Sequence, residues 1–194
     1  MTFHDRMERL LRKIGEQCRE IDKKSIERFL DALMDAGRVF VAGAGRSGLV
    51  ARAFAMRLMH LGFTVYVVGE SITPAIRKGD LLIAISGSGR TESITSIVRI
   101  SRKKGAKIAA LTSFPDSPVG KAANYIVRIK GRPVEELRRD YLARQLVGEH
   151  EPIAPLGTLF ELSTMIFLDS VIEELMRRLK KGEEELREYH ANLE

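Results

Sequence analysis

The sequence predicts an α/β fold: a Rossmann-like three-layer αβα sandwich around a five-stranded parallel sheet, with further helices at both ends of the chain. Three observations predict it. Short apolar segments alternate with helical ones between residues 38 and 129. Within each apolar segment polarity does not alternate, so both faces of those strands are buried. Glycine- and hydroxyl-rich turns stand where strands hand over to helices, the place where parallel sheets bind ligands.

The elements follow in order. Two helices, over roughly 3–20 and 25–36, open the chain; Ser25 is the expected N-cap of the second and Gly37 its stop. Arg38 to Ala42 reads as a buried strand running into glycines. Ser47 to Leu61 is a helix closed by Gly62, and Thr64 to Val68 the next strand. Leu81 to Ile85 is a third strand, and a helix over 91–104 follows it, ended by Gly105. Lys107 to Leu111 is the fourth strand. Ser117-Pro118 opens a short helix, because Ser caps and Pro suits the first helical position. Asn124 to Ile129 is the fifth strand. A charged segment, 131–152, holds one predicted helix around 134–146. The helix over 158–180 is the most apolar in the chain and covers more than one face, as a deeply buried or interfacial helix does. A charged helix runs from there to the C-terminus.

Composition sets limits. The chain has 194 residues, 44% of them hydrophobic, which fits one domain with a full core. We read it as a single unit over 1–194, with helical additions at 1–36 and 157–194. A single cysteine, Cys18, excludes an intrachain disulfide and any zinc site with two thiolates; no metal and no cofactor is expected. The net charge of +6 raises nucleic acid as a partner. However, the charges are mixed, as in Arg12-Lys13, Glu16, Arg19-Glu20 and Asp22-Lys23-Lys24. Mixed signs describe a solvated, salt-bridged surface. No tryptophan and 6% aromatics are thin for stacking on bases. No apolar run reaches membrane-spanning length and no leader-like apolar region opens the chain, so no membrane is expected and the location is read as cytoplasmic. Few amide side chains among many Lys, Arg and Glu is the composition of heat-adapted proteins.

Two strand ends carry the chemistry. Gly43-Ala44-Gly45-Arg46-Ser47-Gly48 follows a strand, opens a helix and matches Gly-x-Gly-x-x-Gly. Glu70 stands after the next strand, where a ribose-binding carboxylate would sit. A nicotinamide-dependent oxidoreductase therefore stays open, as does a tight turn that serves packing alone. The second loop is Ser86-Gly87-Ser88-Gly89-Arg90-Thr91. Three hydroxyls, two glycines and a helix N-terminus make an anion site; capping that helix accounts for one hydroxyl, not three. Expected phosphate ligands are Gly45, Arg46, Ser47, Ser86, Gly87, Ser88, Gly89, Arg90 and Thr91.

With these loops, the stretch Ala53 to Gly62, the run Leu156-Gly157-Thr158-Leu159-Phe160-Glu161 and the terminal His190-Ala191-Asn192-Leu193-Glu194, the chain resembles the sugar-isomerase (SIS) fold family, and within it the 6-phospho-3-hexuloisomerases. It departs from them in a longer 131–152 segment and in Leu156, where Met is frequent. The resemblance implies reversible isomerisation of D-arabino-hex-3-ulose 6-phosphate and D-fructose 6-phosphate through an enediol. It also implies a phosphorylated hexulose as partner and a hexulose-phosphate synthase acting in the same pathway of formaldehyde assimilation; the apolar faces of the 158–180 helix, with the two N-terminal helices, predict a homotetramer. Glu161 becomes the candidate base. Position alone favours a capping box formed by Thr158 and Glu161; the resemblance reverses that preference. His190 and His60 are the other candidate acid–base groups, although His60 at a helix C-terminus also suits the helix dipole with no further role. The same fold serves sugar-phosphate sensors, which leaves a non-catalytic regulator as a rival.

Overall fold

The structure, a computed structural model, describes residues 2–131 and 158–182. The helices expected around 134–146 and after residue 182 lie outside the described residues, as does His190. Among the described residues, helices α1 (Phe3–Arg19) and α2 (Lys23–Met34) precede β1 (Arg38–Gly43), α3 (Arg46–His60) and β2 (Val65–Val67). Then come β3 (Asp80–Ile85), α4 (Glu92–Lys103), β4 (Lys107–Thr112), α5 (Pro118–Ala122), β5 (Tyr125–Arg128) and α6 (Thr158–Leu179). All five strands pair in parallel in the order β2-β1-β3-β4-β5.

The strands are apolar on both faces because both faces are covered. On one side, Val39, Val41, Leu81 and Ile83 meet Phe29 and Leu33 of α2, Phe54 and Leu58 of α3, and Phe167 and Val171 of α6. On the other, Phe40, Ala42, Leu82 and Ala84 meet Ile94 and Val98 of α4 and Val119 of α5. Successive strand residues thus feed opposite layers, as the two-residue period requires. Each large side chain so buried contributes about 1.5–3 kcal/mol.

Local signals behave as their chemistry dictates, with two corrections. Gly62 and Gly105 end α3 and α4 with φ of +83° at both, and Ser117 caps α5 by accepting from the Gly120 amide. The N-cap of α2, however, is Asp22, which accepts from the Ser25 amide at 2.8 Å, rather than Ser25. The Asp22 carboxylate thereby satisfies an amide of the first turn and adds its charge to the positive helix end. Gly37 is no left-handed stop either; α2 ends at Asp35, and the Gly37 amide donates to Gly79 O.

The end of the sheet away from the loops is fastened by charge. Arg38 donates to both Asp80 carboxylate oxygens, at 2.9 and 2.7 Å, and the Arg77 amide adds a third bond at 2.7 Å. Burial opposes ionisation of Asp80, but the Arg38 and Arg77 hydrogen bonds and charges outweigh it and hold the carboxyl below its usual range. A carboxyl depressed in the folded state stabilises the protein above its unfolded value, near 4, and loses that contribution as pH falls through the folded value. Melting temperature should therefore fall as the pH drops below about 4. Asp80→Asn should melt lower at neutral pH and show a shallower acid decline in the same calorimetric series.

Candidate active site

The order β2-β1-β3 makes the chain reverse direction across the sheet between β1 and β3. Their carboxyl ends diverge into loops on either side of a crevice, the place where open α/β sheets bind ligands. A cavity of about 200 Å³ occupies that crevice. Gly45, Arg46 and Ser47 line it from the β1–α3 loop, and Ser86, Gly87, Ser88 and Thr91 from the β3–α4 loop. Glu161, from the first turn of α6, closes it. The volume suits a phosphate group and the neighbouring carbons. It is smaller than the clefts of about 300–1,000 Å³ that enclose whole ligands.

The hydroxyls of the second loop are directed by their backbone. The Gly89 amide donates to Ser86 Oγ at 3.2 Å and the Arg90 amide to Ser88 Oγ at 3.2 Å. Each oxygen is thus occupied as an acceptor, which leaves its own proton for an anion. Thr91 is the N-cap residue of α4, yet its side chain makes no capping bond; it lies 3.4 Å from Ser86 Oγ instead. None of the three hydroxyls is spent on the cap. No side chain caps α3 either. Its first amides, at the positive end of the helix, are left to the cavity.

The glycines divide into two kinds. A Cβ at Gly43 would stand 2.6 Å from Ser47 O, and one at Gly48 2.8 Å from Gly43 O. These two let helix and strand approach closely, which is a packing role. Gly45 and Gly89 have φ of +57° and +60° and shape the turns themselves.

Glu161 is the chemically distinctive group. Only 4% of it is exposed, and a buried carboxylate is costly unless paired. Its Oε2 lies 3.6 Å from Arg46 Nε, close enough for charge attraction and too long for a hydrogen bond. Arg46 is 58% exposed at its side chain, so it reaches from solvent into the cavity.

Some predicted residues lie elsewhere. His60 ends α3, fourteen residues from Arg46, about 21 Å along the helix at 1.5 Å per residue; its own chain does not bring it to this cavity. Arg90 is exposed and does not line the cavity. Gly89 lies behind the loop, against Ser117 and Thr112. Glu70 forms an exposed ion pair with Arg52, so the acidic partner of a dinucleotide site is already engaged. Sequence reasoning missed the support beneath the loop: Thr112 Oγ1 donates to Gly87 O at 3.4 Å, and the Ser113 amide donates to the same oxygen at 3.1 Å. Three hydroxyl residues at and beyond the end of β4, Thr112, Ser113 and Ser117, were the available signal. Among the described residues no group of three or more His, Cys, Asp or Glu gathers at one point.

A hydroxyl-lined cavity beside a buried carboxylate, at the switch point of a five-stranded parallel sheet, agrees with comparison to known proteins. The family model described as the SIS domain matches residues 32–139. The chain belongs to the SIS domain family. The 3-hexulose-6-phosphate isomerase of Bacillus subtilis is 37% identical over 185 residues, covering 95% of this chain and 95% of that protein. The enzyme of the same name from Mycobacterium gastri is 40% identical over 182 residues, covering 94% and 86%. A crystal structure of a Methanococcus jannaschii protein, from which a 3-hexulose-6-phosphate isomerase function was inferred, superposes with a TM-score of 0.78 at 36% identity, covering 97% of each chain. The SIS domain's sheet and both glycine loops fall within the matched residues, while Glu161 lies beyond them on α6.

Proposed function

We propose that this SIS-domain protein is a 3-hexulose-6-phosphate isomerase, interconverting D-arabino-hex-3-ulose 6-phosphate and D-fructose 6-phosphate. Relatives of that name, about 40% identical over most of the chain, support the reading. The single observation that carries it here is Glu161: a carboxylate buried in the same cavity as a hydroxyl-rich anion loop.

The reaction moves a carbonyl from C3 to C2. Glu161 takes the proton from C2, the oxygen at C3 gains a proton as a C2–C3 enediol forms, and the carboxyl returns a proton to C3 as the hydroxyl at C2 gives up its own, so that a proton passes in net from O2 to O3. Two carbons exchange oxidation level and no electrons leave the sugar. Ser47, Ser86, Ser88 and Thr91, with the first amides of α3, hold the phosphate. That fixes the reacting carbons relative to Glu161, the kind of positioning that replaces a bimolecular encounter. Arg46 offsets the carboxylate's charge before binding and faces the oxygen on which negative charge develops. Arg46→Ala should raise KM for fructose 6-phosphate and lower kcat, together about 10²-fold in kcat/KM. Steady-state kinetics measures this, and Arg46→Lys should recover only part, because a point charge does not reproduce the guanidinium fork.

The 3-keto sugar phosphate has no normal ring form, so ring opening concerns fructose 6-phosphate alone. His190 keeps the ring-opening role that the family resemblance implies, and His60 serves a cavity only if another copy of the chain supplies it. Apolar residues exposed on α1 (Phe3, Met7 and Leu11) and on α3 (Leu49 and Met56) support assembly through these faces, and the state we propose is a homotetramer. A monomer mass by light scattering at micromolar concentration would reject it. We place the enzyme in the cytoplasm of a heat-adapted organism, with the whole chain acting as one unit beside a hexulose-phosphate synthase in formaldehyde assimilation; among the described residues, no helix is long and apolar enough to cross a membrane.

Proton NMR in heavy water tests the reaction directly. With fructose 6-phosphate as substrate, the proton at C3 should exchange while a 3-keto sugar phosphate accumulates. Binding of fructose 6-phosphate with neither change would point to a sensor and overturn the proposal.

A further inference from the structure

A second concavity, of about 530 Å³, lies between α4 and α5. That volume is within the range of about 300–1,000 Å³ for small-molecule clefts. Val98, Pro118 and Ala122 give it an apolar wall, and Arg99, Arg102 and Lys103 stand around it. Thr95, Val98, Arg99 and Arg102 recur at helical spacing, so one face of α4 supplies both the wall and the charge. No acidic side chain lines the cleft. Arg38, Arg52, Arg177 and Arg178 all pair with carboxylates. Among the described residues, Arg99, Arg102 and Lys103 pair with none. The polar contact that Arg102 makes is a 3.4 Å bond from Nη1 to Ala122 O.

An ordinary charged helix face carries mixed signs over a solvated surface. This one gathers like charges around an apolar hollow and includes a buried hydroxyl, Thr95 Oγ1, with no hydrogen-bond partner. Such a combination matches a ligand with a flat or apolar body and several negative charges. We infer that the cleft binds a nucleoside phosphate, its base against Val98, Pro118 and Ala122 and its phosphates on Arg99, Arg102 and Lys103.

The cleft is wired to the phosphate loop of the active site. The Val119 amide of α5 donates to Gly89 O at 3.1 Å. Ser117, just before α5, is packed against Gly89. The opposite end of α4 begins at Thr91, the last residue of that loop. A ligand that clamps α4 to α5 therefore holds both flanks of the loop and changes its affinity for sugar phosphate. By linkage, sugar phosphate changes the affinity of the cleft by the same factor.

Fluorescence anisotropy of a mant-labelled ATP with the full chain tests binding. The probe should bind saturably and be displaced by unlabelled ATP. Arg99→Ala/Arg102→Ala, an exposed pair outside the active site, should weaken it about tenfold or more while leaving basal turnover unchanged. Equal binding by the double variant, or equal displacement by tripolyphosphate, would overturn the assignment. Calorimetry tests the coupling: saturating ATP should shift the dissociation constant of fructose 6-phosphate about fivefold or more, and the double variant should lose that shift. ATP binding without the shift, or displacement of the probe by fructose 6-phosphate that grows without a plateau, would also overturn it. Failure of fructose 6-phosphate to bind at all would instead count against the isomerase reading, since the probe's binding needs no turnover.

Discussion

Replacing Glu161 by Gln should lower turnover by about 10²–10⁴-fold, the usual range for a lost general base, with little change in KM. Gln keeps the size of the side chain and its place in the first turn of α6, so substrate still meets the same hydroxyls and amides. It cannot accept the proton from C2. The rival role for Glu161, the N3 carboxylate of a capping box, predicts the opposite pattern: about 1 kcal/mol lost in stability and an intact rate. Measuring kcat and melting temperature on the same preparation separates the two. Burial sharpens the contrast, because a 4% exposed carboxylate in a hydroxyl-lined cavity is poorly placed to be a mere surface cap. Exchange of the substrate's C3 proton in heavy water should vanish along with turnover. Exchange that persisted in Glu161→Gln would assign the base to another residue.

Gly89→Ala should be the most damaging single change in the phosphate loop. A Cβ there would stand 1.9 Å from Ser117 Oγ and 2.6 Å from its Cβ, far inside van der Waals contact. The backbone is also at φ +60°, where a non-glycine residue is strained by roughly 1–3 kcal/mol. The loop cannot yield cheaply, because Ser86 Oγ, Val119 and Ser113 bind it from three sides. The variant should lose several °C in melting temperature, and its KM for fructose 6-phosphate should rise more than kcat falls. Gly45→Ala is the internal control. It shares the positive φ but meets nothing within 4 Å, so it should carry the backbone strain without the collision and cost less. Equal damage at both positions would show that backbone conformation, not packing against Ser117, makes glycine necessary at 89.

Much of the fold was legible because burial on both faces writes itself into a sequence. A strand such as Leu81–Ile85 has no polar position to spare when α3 and α6 cover one side and α4 the other. Stops at Gly62 and Gly105 were legible for a similar reason: a left-handed residue after a helix favours glycine strongly. The start of α2 was not, since Asp22 and Ser25 are both good caps and only the geometry of the turn chooses between them. The two glycine-rich loops were visible as loops, but the roles of their residues were not. Gly43 and Gly48 look like ligand glycines in the sequence and prove to be packing glycines. Thr91 looks like a cap and leaves its hydroxyl uncommitted to the helix. Arg90 sits inside the motif and faces solvent, because an exposed position between Gly89 and Thr91 is decided by turn geometry that residue types do not encode.

The sequence by itself determined an α/β domain with a covered parallel sheet, two anion-suited strand ends and a net charge of +6 spread over a surface of mixed sign. Those properties depend on local pattern: periodicity, turn chemistry and the order of charges along the chain. Only the tertiary structure decided that Glu161, more than a hundred residues from Arg46, stands 3.6 Å from it, and that His60, on the same helix as Arg46, does not join them. The reason is that strand order sets which loops meet. With β1 and β3 adjacent and β2 outside them, the two glycine loops face one crevice and the first turn of α6 brings Glu161 to it. A rigid helix meanwhile carries its far end about 21 Å away.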